Sequence, residues 1–558
     1  GMISHLGPQL AIADGVALAH KLRKENKVSL AFTGEGGTSE GDFHEALNVA
    51  AVWDLPVIFL IENNGYGLST PVNEQYRCIS LVDKAKGYGM EGVQIDGNNI
   101  LTVYDTIKGV REYCIRNQKP YLIECMTFRM RGHEEASGTK YVPPKLFEIW
   151  QLKDPIKNYE RWLIESNVMN EMKVAEIRNE FKDKIESELA IGFATASVIA
   201  DTEEELEDVY LRSGVRSQKS EVRVIDNSGI SHISHLTSQD RRLIDAISDA
   251  LKQSMQRHPD LVLMGQDIAE YGGAFKITEG FVQELGKERV RNTPLCESAI
   301  VGAALGLSLE GFKSVMEMQF ADFVTMGFNQ IVNNLAKIHY RWGQNADVVI
   351  RMPTGAGVGA GPFHSQSNEA WFTHVPGLKV VYPSTPMDAK GLLVAAINDP
   401  NPVLYFEHKA LYRSVSGSVP KEYYEIEIGK ARHVRDGDEI SIITYGAGVH
   451  WAEDYAAEHP EISIDILDLR TLAPLDYLAI REAVQRTGRV LILHEDTLTG
   501  GIGGEIAAWI AENCFAILDA PVMRCASLDT PIPFSIELEN NFLAKARLNE
   551  SVQKLINY

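Results

Sequence analysis

The sequence is poor in several things that mark common classes of protein. Only six of its 558 residues are cysteine (78, 114, 125, 296, 514 and 525), none forms a CxxC pair, and most lie inside apolar segments. That pattern excludes a disulfide framework or zinc ribbon and predicts reduced core thiols in a cytoplasmic protein. No apolar run reaches the length of a membrane span. Basic residues are outnumbered: 54 Lys and Arg against 76 Asp and Glu give a formal charge of −22. A phosphate-backbone partner is thereby disfavoured, and we expect neither nucleic acid nor membrane as a partner. Short repeats and low-complexity tracts are also lacking. Gly1-Met2 reads as a tag scar before a start residue, with no targeting peptide.

What is present is α/β alternation in a chain long enough for three or four domains. Val28–Thr33 is an apolar, β-rich run that predicts a buried strand ending at Gly34-Glu35-Gly36. Ser39–Asp54 predicts a helix with Phe43, Leu47, Ala50 and Ala51 on one face, and Pro56–Ile61 the next strand. This β-α-β unit sets Glu35 and the second residue of the pair Asn63-Asn64 at the carboxyl ends of parallel strands, where open α/β sheets bind ligands. Carboxylate, amide and carbonyl oxygens suit a hard Mg²⁺ ion that also holds phosphates. Further strands are expected at Gly92–Asp96 and Pro120–Glu124, around a helix at Leu101–Asn117.

We expect an amino-terminal domain over 1–211 that includes a charged helical extension, and a Ser-rich linker over 212–238. A second α/β domain should follow over 239–420 and a third over 421–558, with Ile440–Tyr445 as its first clear strand. The chain opens almost directly in a ligand loop with no preceding strand, so the first domain is expected to be truncated at its amino terminus.

Several stretches carry a resemblance. GEGGTSEGDFHEALNVAAVWDLPVIFLIENNGYGLSTP resembles the thiamine-diphosphate motif of the α-type half of 2-oxo acid dehydrogenase first components. RVRNTPLCESAIVGAALG, MEMQFADF and FHSQSNEAWFTHVPGLKVVYPSTPMDAKGLL resemble the β-type half, and HEDTLTGGIGGEIAAWI the transketolase-type carboxyl-terminal domain. The α-type and β-type halves thus stand fused in one polypeptide. The resemblance implies a thiamine-diphosphate-binding fold of two parallel-sheet α/β domains plus a third α/β domain.

By this resemblance Glu35, the Asn64 side chain and the Tyr66 carbonyl ligate Mg²⁺, and Gly34 and Gly36 shape the diphosphate turn. Ser4, Leu6 and Gln319 align with cofactor-contacting positions, Leu6 against the pyrimidine region. Each can equally be packing. Glu297 opens an apolar, small-residue run (AIVGAALGLSL) expected to be a buried helix. As a helix-capping carboxylate it would be ordinary. The resemblance instead makes it the residue that bonds the aminopyrimidine ring of the cofactor, with burial raising its pKa. His364, in a glycine-rich loop, and His133, in Arg131-Gly132-His133, match the two active-site histidines, whose imidazoles suit proton transfer near neutrality.

The activity implied is oxidative decarboxylation of a 2-oxo acid, of branched-chain 2-oxoisovalerate type, with reductive acylation of a lipoyl group on an acyltransferase partner. Thiamine diphosphate and Mg²⁺ are the implied cofactors, with K⁺ as an optional addition, and a homodimer is the implied assembly. Rival readings are a pyruvate or acetoin dehydrogenase component, a transketolase-like sugar transferase, and a non-catalytic truncated paralogue. Departures from the pattern are the lack of an upstream Tyr-Arg clamp, Glu62 in place of an Arg, Phe323 in place of an aromatic hydroxyl, and Glu134 at the regulatory phosphorylation position.

Overall fold

Apolar strands separated by helices with one apolar face can bury both only by layering helices on a mostly parallel sheet. The computed structural model shows this arrangement three times. It describes residues 5–134, 138–211, 223–225 and 237–558. The chain divides into two compact units, Gly1–Asp208 and Val209–Tyr558.

In the first unit, helix α1 (Pro8–Leu22) starts with proline at its first position, where the missing N–H costs no hydrogen bond. It packs on β1 (Ser29–Gly34) and α2 (Gly41–Val52). Strands β2 (Val57–Asn63), β3 (Glu91–Asp96) and β4 (Tyr121–Met126), with helix α3 (Ile100–Asn117), complete a four-stranded parallel sheet of order β1-β2-β4-β3. Ile58, Leu60, Ile95, Val110, Cys114 and Ile123 form its core. β1 is not the fully buried strand expected. It lies at the sheet edge with alternating burial, and Phe32 is 51% exposed beside the open side chain of Leu30. The charged extension is helical, as at α4 (Glu171–Ala194), which buries none of its residues.

In the second unit, α5 (Leu243–Arg257), β5 (Leu261–Gly265), β6 (Val290–Asn292), α6 (Glu297–Leu309), β7 (Lys313–Glu317) and β8 (Val348–Thr354) alternate. They are followed by β9 (Lys379–Val381), α7 (Pro386–Asn398) and β10 (Val403–His408). The sheet order is β6-β5-β7-β8-β10-β9, all parallel, with Thr471–Ala473 added antiparallel along β9. The third α/β domain has β11 (Arg432–Arg435), β12 (Ile440–Thr444), α8 (Ala447–Glu458), β13 (Ile464–Asp468), α9 (Tyr477–Thr487) and β14 (Val490–Thr497). It continues with α10 (Gly503–Asn513), β15 (Met523–Ser527) and α11 (Ile536–Phe542). Its five strands run β11-β13-β12-β14-β15, with only β11 antiparallel.

Most of the expected linker over 212–238 lies outside the described residues. Within its described residues, two short strands appear. Arg223–Ile225 pairs with Tyr424–Ile426, and Ser238–Arg242 pairs with Ser416–Pro420. All six cysteines are free thiols, five of them buried. No described helix is long and apolar enough to cross a membrane.

Candidate functional site

In the first unit the parallel register aligns Gly34 with Glu62, so β1 and β2 end side by side. The chain turns at Glu35 into a short 3-10 segment, Gly36–Ser39, which Thr38 stabilises by donating its hydroxyl to the Glu35 carbonyl at 2.7 Å. The Glu35 side chain is 1% exposed. Its Oε2 accepts the backbone N–H of Asn64 at 3.0 Å, which ties the two strand ends together. Asn64 Oδ1 in turn accepts the Tyr66 N–H at 3.3 Å, and the half-buried Tyr66 ring meets Tyr141 edge-on at 5.7 Å. Glu35, Asn64 and Tyr66 are thus brought together.

The twin asparagines divide their labour. Asn63 turns inward and donates to Glu124 at 2.7 Å and to Tyr76 at 2.9 Å. The buried Glu124 also accepts from Ser80, Leu81 N–H and Gln94. Asn63 therefore braces the strand end, and Asn64 is left at the turn. The glycines differ too. A Cβ on Gly36 would press on Gly67 and Gln75, whereas one on Gly34 meets nothing within 4 Å. Leu6 is exposed, with its Cβ beside Gly37, and Ser4 lies outside the described residues.

His133 is exposed, and its Nδ1 accepts from Arg129 at 3.1 Å. Arg129 also donates to the Leu68 carbonyl at 2.6 Å and to Tyr141 at 3.0 Å, so it fastens the His133 loop to the turn that follows Tyr66. Lys84 donates to the Thr38 carbonyl at 2.6 Å, and burial lowers its pKa. Neither cation was singled out from the sequence.

A metal that bridges to a diphosphate needs an acidic oxygen held at the strand ends, and Glu35 supplies one. A carboxylate so deeply buried is costly unless a cation or several donors meet it. Glu35 accepts one backbone N–H and pairs with no Lys or Arg among the described residues. The oxygen donors fit a hard divalent ion. Among the described residues no group of three or more His, Cys, Asp or Glu converges anywhere, so a soft-metal centre finds no such cluster there.

In the second unit the expected residues follow the carboxyl ends of β6, β7 and β8. Glu297 is the first residue of α6, whose next eleven residues are all buried. Its carboxyl is half-buried rather than enclosed, and Gln266, one residue past β5, donates to its Oε1 at 2.8 Å. Gln319, two residues past β7, donates to Asp267 at 3.4 Å. His364 stands edge-on to Phe320 at 4.8 Å and to Phe323 at 5.7 Å. Gln266 was missed in the sequence. Its position just past a strand end was the available signal.

Beneath this rim lies a charged core. Arg351 donates to Glu407 at 2.7 and 2.8 Å and to Glu317 at 2.5 Å, and Tyr412 donates to Glu407 at 2.6 Å. Burial raises the Glu317 pKa, with Arg351 opposing, while the two carboxylates outweigh burial and raise that of Arg351.

Acidic residues at the carboxyl ends of parallel strands sit where open α/β sheets bind ligands, here in each unit by itself. Comparison with known proteins specifies the class. The family described as "Dehydrogenase E1 component" matches residues 2–198, "Transketolase, pyrimidine binding domain" matches 240–415, and "Transketolase, C-terminal domain" matches 429–547. A 2-oxoisovalerate dehydrogenase subunit beta of Bacillus subtilis is 48% identical over 306 residues, covering 54% of this chain and 93% of the relative. A mitochondrial 2-oxoisovalerate dehydrogenase subunit beta 2 of Arabidopsis thaliana is 43% identical over 57% of this chain and 89% of its own length. A pyruvate dehydrogenase E1 component subunit beta of Staphylococcus aureus is 42% identical over 56% and 96%. The chain belongs to the thiamine-diphosphate-dependent E1 family of 2-oxo acid dehydrogenases, with alpha-type and beta-type parts in one polypeptide.

Proposed function

We propose that this enzyme decarboxylates a branched-chain 2-oxo acid of the 2-oxoisovalerate type and passes the acyl group to a lipoyl arm of an acyltransferase. The observation that carries the reading is Glu297, a carboxyl at the head of an apolar helix with Gln266 as its partner. The substrate choice is supported by relatives named for 2-oxoisovalerate, beside others named for pyruvate.

Glu35, the Asn64 side chain and the Tyr66 carbonyl would hold Mg²⁺, and Gly34, with open space over its Cα, would lie against the diphosphate. Leu6 and Gln319 would contact the rest of the cofactor. Thiamine diphosphate, when bound, supplies the electron sink that lets a 2-oxo acid lose CO₂. Glu297 holds the proton exchanged with the pyrimidine ring, and Gln266 fixes which carboxyl oxygen faces it. His364, braced edge-on by Phe320 and Phe323, and His133, braced by Arg129, hold protons for acyl transfer. We further propose a homodimer in the cytoplasm, where free thiols stay reduced. The divisions at 211, 238 and 420 are proposed as domain boundaries.

Titration calorimetry with thiamine diphosphate and Mg²⁺, followed by kcat/KM for 2-oxoisovalerate and pyruvate, tests this reading. Saturable binding and preference for the branched substrate support it. Preference for pyruvate overturns the substrate assignment, and failure to bind the cofactor overturns the reading as a whole.

A further inference from the structure

His364 follows a loop whose backbone is held by the carboxyl-terminal domain. Gly355, Gly357, Gly359 and Gly361 all have positive φ, between 66° and 90°, a region that L side chains rarely adopt. Such a loop has little intrinsic reason to keep one shape. Its N–H groups, however, meet two buried carboxylates. Glu539, on α11, accepts Gly357 N–H at 2.9 Å through Oε1, and Gly359 N–H at 3.3 and 3.1 Å through both oxygens. Glu495, on β14, accepts Ala356 N–H at 2.6 Å and the Ser367 hydroxyl at 3.2 Å. The Glu495 carboxylate is itself fixed by His408 at 2.5 Å, and Lys409 donates to the Gly355 carbonyl at 2.7 Å. The ring of Phe534 covers Gly361, where any Cβ would collide with it.

We propose that Glu539 is a positioning residue for His364: its carboxylate gathers the Gly357 and Gly359 amides and so fixes the loop that presents the imidazole to the incoming acyl acceptor. The proposal rests on the reading of His364 as the acyl-transfer histidine. The geometry makes the carboxyl-terminal domain part of the acyl-transfer machinery without contributing an atom to the reaction. A shift of the loop by about 1 Å is enough to cost on the order of 10²-fold in rate. Glu297 heads α6 and shares no hydrogen bond with Glu539 among the described residues, so decarboxylation itself is untouched.

The test uses the full chain with thiamine diphosphate and Mg²⁺, in wild-type, Glu539→Ala, Glu539→Gln and His364→Ala forms. Deuterium exchange of the 355–361 backbone is read beside two rates with 2-oxoisovalerate, one with oxidised lipoamide and one with ferricyanide as acceptor. Glu539→Ala should speed loop exchange roughly tenfold or more and lower the lipoamide rate about 10²-fold, matching His364→Ala, while the ferricyanide rate holds. Glu539→Gln should fall between, since its Oε1 still accepts but its NH₂ opposes the Gly359 N–H. It also serves where the alanine form folds poorly. Unchanged loop exchange in both variants overturns the proposal, as does equal loss on both acceptors. A His364→Ala enzyme with an undiminished lipoamide rate overturns instead the functional reading on which the proposal stands.

Discussion

Gln266 Nε2 donates to Glu297 Oε1 at 2.8 Å, across the gap between the end of β5 and the head of α6. Gln266 is buried, so the contact aims the carboxyl with little freedom to swing. A hydrogen bond to a charged group contributes about 1.5–3 kcal/mol, which sets the cost of losing it. Gln266→Ala should therefore lower kcat about 10- to 10²-fold with KM little changed. Steady-state kinetics with either acceptor checks this, and a pure KM effect would speak against an orienting role.

Glu35 and the Asn64 side chain meet at one turn as proposed metal ligands, so the two positions should fail together. Glu35→Gln keeps the shape and removes the charge. Calorimetry should show Mg²⁺-dependent thiamine diphosphate binding weakened by about 10²-fold, with Asn64→Ala close behind. Asn63→Ala should act differently. It leaves Glu124 short of a donor and should lower the unfolding midpoint more than it lowers cofactor affinity.

The Glu317–Arg351–Glu407 cluster is a stability element with no exposed member. Arg351→Leu would leave two carboxylates buried without their counter-ion. Urea unfolding should show a loss of about 3–5 kcal/mol, the range for breaking a buried ion pair from one side.

Where the second and third domains meet, burial raises the Glu369 pKa to about 8, with nearby Asp496 adding to the rise, although Tyr445 donates to it at 2.7 Å. A raised carboxyl pKa means that the folded state keeps a proton the unfolded state has lost, so stability falls as pH rises toward 8. Burial lowers the His494 pKa to about 4, which acts in the opposite direction below its ordinary 6.5. Asp496, raised to about 6, has largely titrated by then. Lys390 and Lys409, which burial lowers to about 8, act in the opposite direction as pH nears 8, so Glu369 dominates only from about 6.5 to about 7.5. The thermal midpoint should drop across that window, and Glu369→Gln should flatten the drop. A midpoint that rises over that range in the wild type would contradict the assignment.

The elements were legible because hydrophobic period and turn chemistry agree locally. The stretch from Val28 to Ile61 needed only its apolar runs and the Gly-Glu-Gly turn to place Glu35 and Asn64 at neighbouring strand ends. What escaped depends on contacts between residues distant in sequence. Arg129 and Lys84 read as ordinary surface cations until the fold sets one on the Leu68 carbonyl and the other on that of Thr38. Glu539 and Glu495 sit in an acidic chain where single glutamates carry no signal, yet they close on a loop more than 120 residues earlier. The exposure of Phe32 was equally hidden, because a strand's apolar content does not say whether it lies at a sheet edge.

The central claim is that Glu297 handles the proton on which decarboxylation depends. The direct measurement is single-turnover CO₂ release from 2-oxoisovalerate by wild-type and Glu297→Gln enzyme, each saturated with thiamine diphosphate and Mg²⁺ as checked by calorimetry. CO₂ release should fall about 10²-fold or more with cofactor binding retained. A Glu297→Gln enzyme that binds the cofactor and releases CO₂ at the wild-type rate would contradict it.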